Sequence, residues 1–209
     1  MKTNKEKASI ILNRLKKRYG KELLIHLNYK NDYEFLFSVI MSAQCTDKQV
    51  NIVTKSLYLK YKSLKDFANA NIYELEKEIK STGFYHNKAK NIIYNAKIII
   101  EEYNSKVPND MNSLLKLKGV GRKTANVVLG MLFNKGGIAV DTHVSVISKR
   151  LGLTTTLDPL IAEEELTKII PNKKDQTIIN THMIAFGREI CKKNKPKCEN
   201  CFLSDLCLK

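Results

Sequence analysis

A glycine turn followed by a lysine and, farther along, by an aspartate is the feature of this chain whose residue types and spacing could do chemistry. Residues 114–128 read as a short helix, a Gly-Val-Gly turn at 119–121 and a second helix that opens with Lys123, and Asp141 follows eighteen residues later. Two glycines let the backbone take positive φ and approach a partner closely. The first amides of the second helix lack intrahelical acceptors and lie at the positive end of its dipole, so they favour a phosphate. The turn therefore predicts contact with nucleic acid.

The lysine and the aspartate together suit attack on a sugar. A lysine amine attacks carbon only when it is neutral, and the helix N-terminus, the adjacent Arg122 and burial against a substrate all disfavour the ammonium form of Lys123. The amine could form a Schiff base with the anomeric carbon of a deoxyribose, while Asp141 accepts its proton or stabilises positive charge on the sugar. The plainer roles are a phosphate contact for Lys123 and a helix N-cap for Asp141. A cap uses one carboxylate oxygen, so the two roles of Asp141 are compatible.

The charge of the chain favours an anionic partner. Its 209 residues carry 36 Lys and Arg against 21 Asp and Glu, a formal net charge of +15. Such a field attracts phosphate polymers, although a genome biased toward Lys, Asn and Ile would produce the same excess. No run of about 20 apolar residues suggests a membrane span. Residues 2–18 are basic and amphipathic, and they read as an ordinary first helix rather than a transit peptide. We expect a mature intracellular protein with no membrane partner.

Four of the five cysteines crowd the end of the chain. Cys191, Cys198, Cys201 and Cys207 are separated by six, two and five residues, while Cys45 stands alone and is expected to be a packed thiol. A secreted disulfide framework would distribute its cysteines through a smaller chain. Structural zinc sites tend to use two short-spaced pairs or to recruit histidine, whereas this tail has one close pair and no histidine. The spacing favours an iron–sulfur centre and leaves zinc as the alternative.

Helical periodicity dominates the chain and strand alternation is nearly absent, so we predict an all-α protein. N-cap residues are expected at Asp32, Asp47, Asn71, Asp141 and Asp158. Apolar stripes and their caps place helices at about 4–19, 32–43, 47–61, 71–80, 87–104, 111–118, 122–133, 142–150, 159–169 and 176–191.

These segments together resemble the endonuclease III family of base-excision DNA glycosylases. Residues 117–127 and 139–143 are similar to the family's helix-hairpin-helix signature. Residues 42–47 and 83–91 resemble the family's other loops, and the terminal cysteines complete the match, so the likeness covers essentially the whole chain in the expected order. Lys118 is a departure, because the family often has proline there, and the loss of a fixed φ is expected to loosen the hairpin slightly.

The resemblance implies a bifunctional DNA glycosylase and abasic-site lyase of base excision repair. Lys123 is then the Schiff-base nucleophile and Asp141 the essential carboxylate. The substrate implied is duplex DNA with an oxidised pyrimidine or an abasic site, which the enzyme cuts 3′ to the lesion by β-elimination. We expect the protein to act as a monomer.

The resemblance also implies the architecture, which is the helix-hairpin-helix DNA glycosylase fold. A six-helix barrel would occupy 25–135 and hold the motif at about 111–133. An iron–sulfur domain would combine 1–24 with 136–209, with a groove between the two domains. One [4Fe-4S] cluster per chain would be held by Cys191, Cys198, Cys201 and Cys207.

A base inside the stack hides its sugar carbon, so the nucleotide must be flipped out and the gap filled. The resemblance places a plug at Gln44, whose amide would bond the orphaned base, and a wedge at Phe84. His143 would support the carboxylate or line the pocket, and His86 would help to discriminate the flipped base. The plainer interpretations are a loop amide, a core phenylalanine and hydrogen-bonded histidines. The DNA contacts implied are Gly119, Val120, Gly121, Arg122, Gln44, Phe84, Lys193 and Lys195.

Two other interpretations stay open from the sequence. A monofunctional adenine or mismatch glycosylase would use water as nucleophile, and Lys123 together with the lack of a further C-terminal domain speaks against it. A non-catalytic helix-hairpin-helix module would use Lys123 only to hold phosphate, and it would need neither Asp141 nor the cysteines. A bacterial host would place the protein in the cytoplasm at the nucleoid, and a eukaryotic host in the nucleus or an organelle.

Overall fold

The computed structural model describes residues 3–24 and 26–208 and is all-α over these residues, as the sequence predicts. None of the described helices is long and apolar enough to cross a membrane. Single 3-10 turns lie at Lys80–Thr82, Cys198–Asn200 and Ser204–Leu206. The α-helices are α1 (Asn4–Tyr19), α2 (Asp32–Ser42), α3 (Asp47–Lys60), α4 (Leu64–Ala68), α5 (Ile72–Ile79), α6 (Tyr85–Glu102), α7 (Met111–Lys116), α8 (Arg122–Phe133), α9 (Thr142–Arg150), α10 (Pro159–Ile169) and α11 (Lys173–Glu189).

Two helix starts differ from the prediction by one residue. The N-caps of α2 and α3 are Asn31 and Thr46, whose side chains accept the amide of the third helical residue. Asp32 and Asp47, predicted as the caps, are instead the first helical residues, where a carboxylate is favoured by the helix dipole. The caps predicted at Asn71, Asp141 and Asp158 are confirmed.

Helix α4 is absent from the predicted set. It has five residues, too few to show an apolar period, and its signal is a capping box in which Ser63 and Asp66 exchange side-chain and backbone hydrogen bonds. The helix places Phe67 in the core without exposure, where the ring stacks on Tyr61 with centroids 5.0 Å apart. Phe37 of α2 meets the same ring edge-on at 5.1 Å. This short helix thus anchors an aromatic core.

The chain divides into two compact units. The continuous unit is Ile25–Val128, and the discontinuous unit joins Met1–Leu24 to Leu129–Lys209. The boundary falls within α8, whereas the sequence expectation placed it after residue 135. In the continuous unit α4 and α5 pack on α6, and α2 packs on α3.

In the discontinuous unit, α1 packs against α10 and α11, and α9 packs against α10 and α11. Its core contains Ile11, Leu15, Val144, Ile147, Met183 and Phe186. Polar contacts hold α1 to later parts of the chain: Arg14 Nη2 lies 2.9 Å from Asp205 Oδ2, and the Tyr19 hydroxyl donates to Glu189 at 2.6 Å. The first helix is therefore fixed to the C-terminal segment.

A buried histidine makes the stability of the discontinuous unit sensitive to pH. His182 of α11 is fully buried, and its Nε2 donates to the carbonyl of Gly20 at 2.8 Å. Burial lowers the pKa of His182 below its ordinary value, and the nearby Lys16 acts in the same direction. The neutral ring is therefore the form that the folded chain prefers.

We predict that stability falls on acidification through this group. Because the unfolded chain binds the proton more readily, its contribution is fully present above about pH 6.5 and is lost as the pH falls from there toward the depressed folded pKa. Urea unfolding at pH 7.5 and 5.5 should show a smaller pH-dependent loss in His182→Gln than in the wild type. Equal losses in the two proteins would contradict this assignment.

Candidate active site and cysteine centre

The turn between α7 and α8 is shaped by a glycine that no other residue could replace without strain. Gly119 has φ +75°, and a Cβ built there would lie 2.6 Å from Nδ2 of Asn91 on α6. Val120 is buried, and its amide donates to the carbonyl of Leu117 at 3.2 Å. Gly121 is exposed and has no positive φ, and a Cβ added there would meet nothing within 4 Å. The first glycine is thus required by packing and conformation, and the second leaves an open surface.

The residue before the turn is held by an amide side chain from α6. Asn95 is fully buried, its Nδ2 donates to the carbonyl of Lys118 at 2.8 Å, and its Oδ1 accepts the amide of Lys118 at 2.8 Å. A proline at 118 would have no N–H for the second bond. The Lys118 ammonium also lies 4.0 Å from the centroid of the Tyr94 ring. The expected loosening at Lys118 is therefore offset by contacts that proline could not make.

Lys123 lies on the exposed start of α8. The helix opens with Arg122 and Lys123, which are both exposed, and the amide of Ala125 donates to the carbonyl of Gly121 at 2.9 Å. The first turn of a helix lies at the positive end of its dipole, which favours an anion. Backbone donors and two cations thus share one end of a helix, which suits a phosphodiester.

Asp141 lies in the discontinuous unit, at the N-cap of α9. It is half-buried, and its Oδ1 accepts the amide of Val144 at 2.8 Å, which occupies one of its two carboxylate oxygens. His143 follows on α9 and packs on α11, because a Cβ at Gly187 would lie 2.5 Å from its Nδ1. Lys123 belongs to the other unit, so the proposed pairing of amine and carboxylate stays a prediction.

The two loops proposed to enter DNA have left-handed backbone at their tips. Gln44 has φ 54° between α2 and α3, and Phe84 has φ 50° at the N-cap of α6. Both residues are exposed, and 64% of Phe84 is accessible, so the plainer interpretation of Phe84 as a core residue is wrong. His86 is also exposed and pairs with Glu76, with Nδ1 and Oε1 2.9 Å apart.

Four cysteines line one cavity in the discontinuous unit. The cavity measures about 320 Å³, and its walls include Cys191, Cys198, Cys201 and Cys207. None of the four forms a disulfide, and burial raises the pKa of the Cys201 thiol. Within residues 3–24 and 26–208, no three side chains of His, Cys, Asp or Glu form a ready single-ion site. The four thiols therefore surround the cavity and do not converge on one point.

Arg150 connects this cavity to the lysine-rich loop, residues 192–197, which lies between Cys191 and Cys198. Its Nη1 donates to Cys191 Sγ at 3.4 Å and to the carbonyl of Lys192 at 2.9 Å, and its Nη2 donates to the carbonyl of Lys193 at 2.8 Å. Lys193 and Lys195 are exposed, and Lys195 has φ 57°. The loop backbone is thus held from within while its ammonium groups face solvent.

Comparison with known proteins places this arrangement in a family. Residues 37–172 match the model of the HhH-GPD superfamily base excision DNA repair protein. Endonuclease III of Bacillus subtilis (strain 168) is 47% identical over 182 residues, which cover 87% of this chain and 83% of that protein.

Two solved structures match along the whole chain. One is described as a non-covalent endonuclease III–DNA complex, with a TM-score of 0.90, 44% identity and coverage of 100% of this chain and 96% of that one. The other is a trapped endonuclease III–DNA covalent intermediate, with a TM-score of 0.89, 44% identity and coverage of 100% and 97%. The chain belongs to the endonuclease III family. Family membership confirms the resemblance stated from the sequence motifs.

Residues on α6 that support the family's motif were missed from the sequence. Lys88 and Asn91 belong there only to the segment 83–91 that resembles a family loop, and Asn95 is not singled out. Their signal is polar character at intervals of three and four residues, on the same turns as buried Ala89, Ile92 and Ala96. Polar side chains within an apolar helix face indicate hydrogen bonds in the interior of the protein.

We predict that the two turn glycines differ in their tolerance of alanine. Gly119→Ala should lower the free energy of unfolding by about 1–3 kcal/mol, because it combines positive φ with a clash against Asn91. Gly121→Ala is the matched control and should change stability by less than about 1 kcal/mol. Urea unfolding of both variants measures the difference, and equal losses would argue against this account of the turn.

Proposed function

We propose that this chain is a bifunctional DNA glycosylase and abasic-site lyase that removes oxidised pyrimidines from duplex DNA, with Lys123 as nucleophile. The observation that carries the proposal is the exposed lysine at the first turn of α8, directly after a glycine turn fixed by α6. This location presents an amine beside backbone amides that can hold a phosphate. A lysine so placed reaches a sugar whose own backbone is anchored.

The structural relatives support a covalent mechanism. One solved relative was captured as a covalent intermediate with DNA, and another as a non-covalent complex. A covalent intermediate requires an enzyme nucleophile, and a passive DNA-binding module would supply none. A monofunctional glycosylase that uses water would likewise form no such bond. Lys123 is proposed to be that nucleophile.

The proposed reaction proceeds in two bond-breaking steps. The neutral amine of Lys123 attacks the anomeric carbon, and the base leaves with the electron pair of its glycosidic bond and takes up a proton. Opening of the sugar ring gives a Schiff base between the lysine nitrogen and that carbon. Loss of a proton from the neighbouring carbon then expels the 3′ phosphate, which breaks the strand, and water releases the lysine.

Asp141 is assigned the charge and proton work of the first step. Its Oδ1 is engaged by the amide of Val144, which fixes the orientation of the carboxylate. The second oxygen then accepts the proton of Lys123 or stabilises the cationic sugar as the base departs. His143, held against α11, is proposed to support this carboxylate or to line the base pocket.

Access to the sugar requires an opened duplex. Gln44 and Phe84 are proposed as plug and wedge, and their exposure and left-handed backbone keep both side chains outside the core. His86 is proposed to contact the flipped base. Arg122, Lys193 and Lys195 are proposed to grip the phosphate backbone, consistent with a net charge of +15.

A [4Fe-4S] cluster is proposed for the cysteine cavity. Ligands of a single zinc ion converge to about 2.3 Å from one point, whereas the thiolates of a cubane cluster bind four separate irons and stand apart around it. Four thiols around about 320 Å³ fit the second arrangement. Base release and β-elimination transfer no electrons, so the cluster would supply structural support for the lysine-rich loop.

The proposed setting is the bacterial cytoplasm, at the nucleoid, with the protein acting as a monomer on damaged DNA. The Bacillus subtilis relative supports a bacterial setting. The same catalytic residues would serve in a nuclear or organellar protein.

We predict that borohydride traps the protein on abasic-site duplex DNA. The wild type should give a covalent complex on a denaturing gel, and Lys123→Ala should abolish it because the Schiff-base nitrogen is gone. Lys97→Ala removes an exposed lysine of α6 that belongs to no proposed site, so it is the charge-matched control and should trap like the wild type. Trapping that survives in Lys123→Ala would remove the nucleophile assignment.

Asp141→Asn separates binding from catalysis. The side-chain oxygen of the substituted residue can still accept the backbone N–H of Val144 as an N-cap, so the fold and the DNA affinity should be retained. Single-turnover base release should fall by about 10²–10⁴-fold, the range for loss of a general acid–base group. Unchanged turnover in this variant would contradict the carboxylate role.

We predict iron and acid-labile sulfide in protein purified without air. The expected ratio is four irons and four sulfides per chain, with visible absorbance that Cys201→Ser diminishes, because one of the four proposed thiolates is lost. Cys45→Ser is the matched control and should leave the iron content unchanged. Stoichiometric zinc in place of iron would count against the cluster.

A further inference from the structure

A buried lysine lies beneath the two loops that carry Gln44 and Phe84. Lys88 of α6 is only 5% exposed, and its Nζ donates to the carbonyl of Met41 at 2.8 Å and to the carbonyl of Thr82 at 2.7 Å. Met41 precedes Gln44 by three residues, and Thr82 precedes Phe84 by two. One ammonium group therefore bonds the chain immediately before both loop tips.

Both bonded carbonyls end helical segments. Met41 lies in the last turn of α2, and Thr82 ends the 3-10 turn Lys80–Thr82. Carbonyls at a helical C-terminus lack intrahelical partners and carry negative partial charge. A cation is the suitable partner for two such groups at once, and an amide or hydroxyl side chain of ordinary length would satisfy one of them. The lysine thus joins two C-termini that would otherwise be separate.

The cost of burying this side chain indicates a specific role. Burial lowers the pKa of Lys88, because desolvation disfavours the ammonium form. A methionine of similar length would fill the same space without that cost. Its neighbours on α6 include Ala89 and Ile92, which are fully buried, and the polar Asn91. The hydrogen bonds of the amine go to the two carbonyls.

A second contact links α3, which follows the Gln44 loop, to the 3-10 turn that precedes Phe84. Gln49 of α3 donates through Nε2 to the hydroxyl of Ser81 at 2.8 Å. The left-handed backbone at Gln44 and Phe84 is unfavourable for residues with a Cβ, and such conformations persist only where the surrounding structure fixes them. Lys88 and Gln49 both bond segments that flank these two residues.

We propose that Lys88 is a positioning residue that holds the Gln44 and Phe84 loops at a fixed separation, so that plug and wedge enter one opened base step together. This inference rests on the proposed function. It assigns Lys88 no contact with DNA. Its effect is on duplex opening, and the chemistry at the sugar should be insensitive to it once the nucleotide is already unpaired.

The test compares Lys88→Met with the wild type on two substrates. One carries an oxidised pyrimidine paired in a duplex, and the other carries the same base in a single-stranded loop where no partner needs a plug. Single-turnover base release by Lys88→Met should fall at least about tenfold on the paired substrate, the loss expected for about one charge-assisted hydrogen bond, and by less than about threefold on the unpaired one. Lys97→Met, the charge-matched change on α6, should behave like the wild type on both.

The ratio of the two rates separates positioning from general destabilisation. A partly unfolded variant loses active enzyme, which lowers both rates equally and leaves their ratio unchanged. Equal losses on the two substrates would therefore overturn the proposal. If Lys88→Met does not fold, Lys88→Gln keeps a polar group too short to reach both carbonyls, and the same ratio decides.

Hydrogen–deuterium exchange supplies a readout that does not depend on activity. In Lys88→Met, or in Lys88→Gln if the first variant does not fold, amides 42–46 and 82–86 should both exchange faster, and amides 117–122 of the hairpin should be unchanged. Faster exchange in one loop alone, or in neither, would overturn the coupling. A wild type that releases base from neither substrate would defeat the proposed function, and the exchange result would still decide whether Lys88 couples the loops.

Discussion

The continuous unit depends on a polar stripe along α6 that fixes backbone rather than side chains. Lys88 bonds the carbonyls of Met41 and Thr82, and Asn95 clamps Lys118 through both its amide and its carbonyl. Asn91 lies between them, against Gly119. The three residues follow one another at intervals of three and four, so they share one helix face. Both proposed insertion loops and the hairpin are therefore held in position by one helix, α6.

For this reason the sequence predicts the glycine turn and the helix after it better than it predicts the α6 residues that hold them in place. Gly119 and the helix that follows it can be recognised in the sequence, because glycine turns and helix starts have strong local signals. Asn95 gives only the weaker signal of a polar residue at helical spacing from Asn91, because its partner is distant in sequence and an asparagine in a helix usually faces solvent. The same division applies to Lys118. Its missing proline ring was visible in the sequence, while the amide bond to Asn95 was visible only in the fold.

Helix boundaries follow the same division between local and distant causes. Asp141 and Asp158 are predicted as caps and are the caps in the structure. At α2 and α3 two candidates stand side by side, and Asn31 or Thr46 takes the cap while the aspartate enters the first turn. Helix α4 owes its place to the packing of Phe67 among aromatic rings rather than to its own period. The joining of α1 to the C-terminal segment likewise depends on pairs such as Arg14 with Asp205, which no spacing reveals.

The proposed nucleophile stands in contrast to this buried support. Lys123 is exposed, so in the free protein its amine is hydrated, and nothing in the described part of the continuous unit removes that water. In the proposed complex, DNA covers the start of α8 and excludes that water. Because contacts with α6 already fix the backbone of the hairpin, the bound DNA has only to exclude water and need not order the hairpin. In the proposed reaction the fold supplies the geometry, and the bound duplex supplies the low-dielectric environment around the amine.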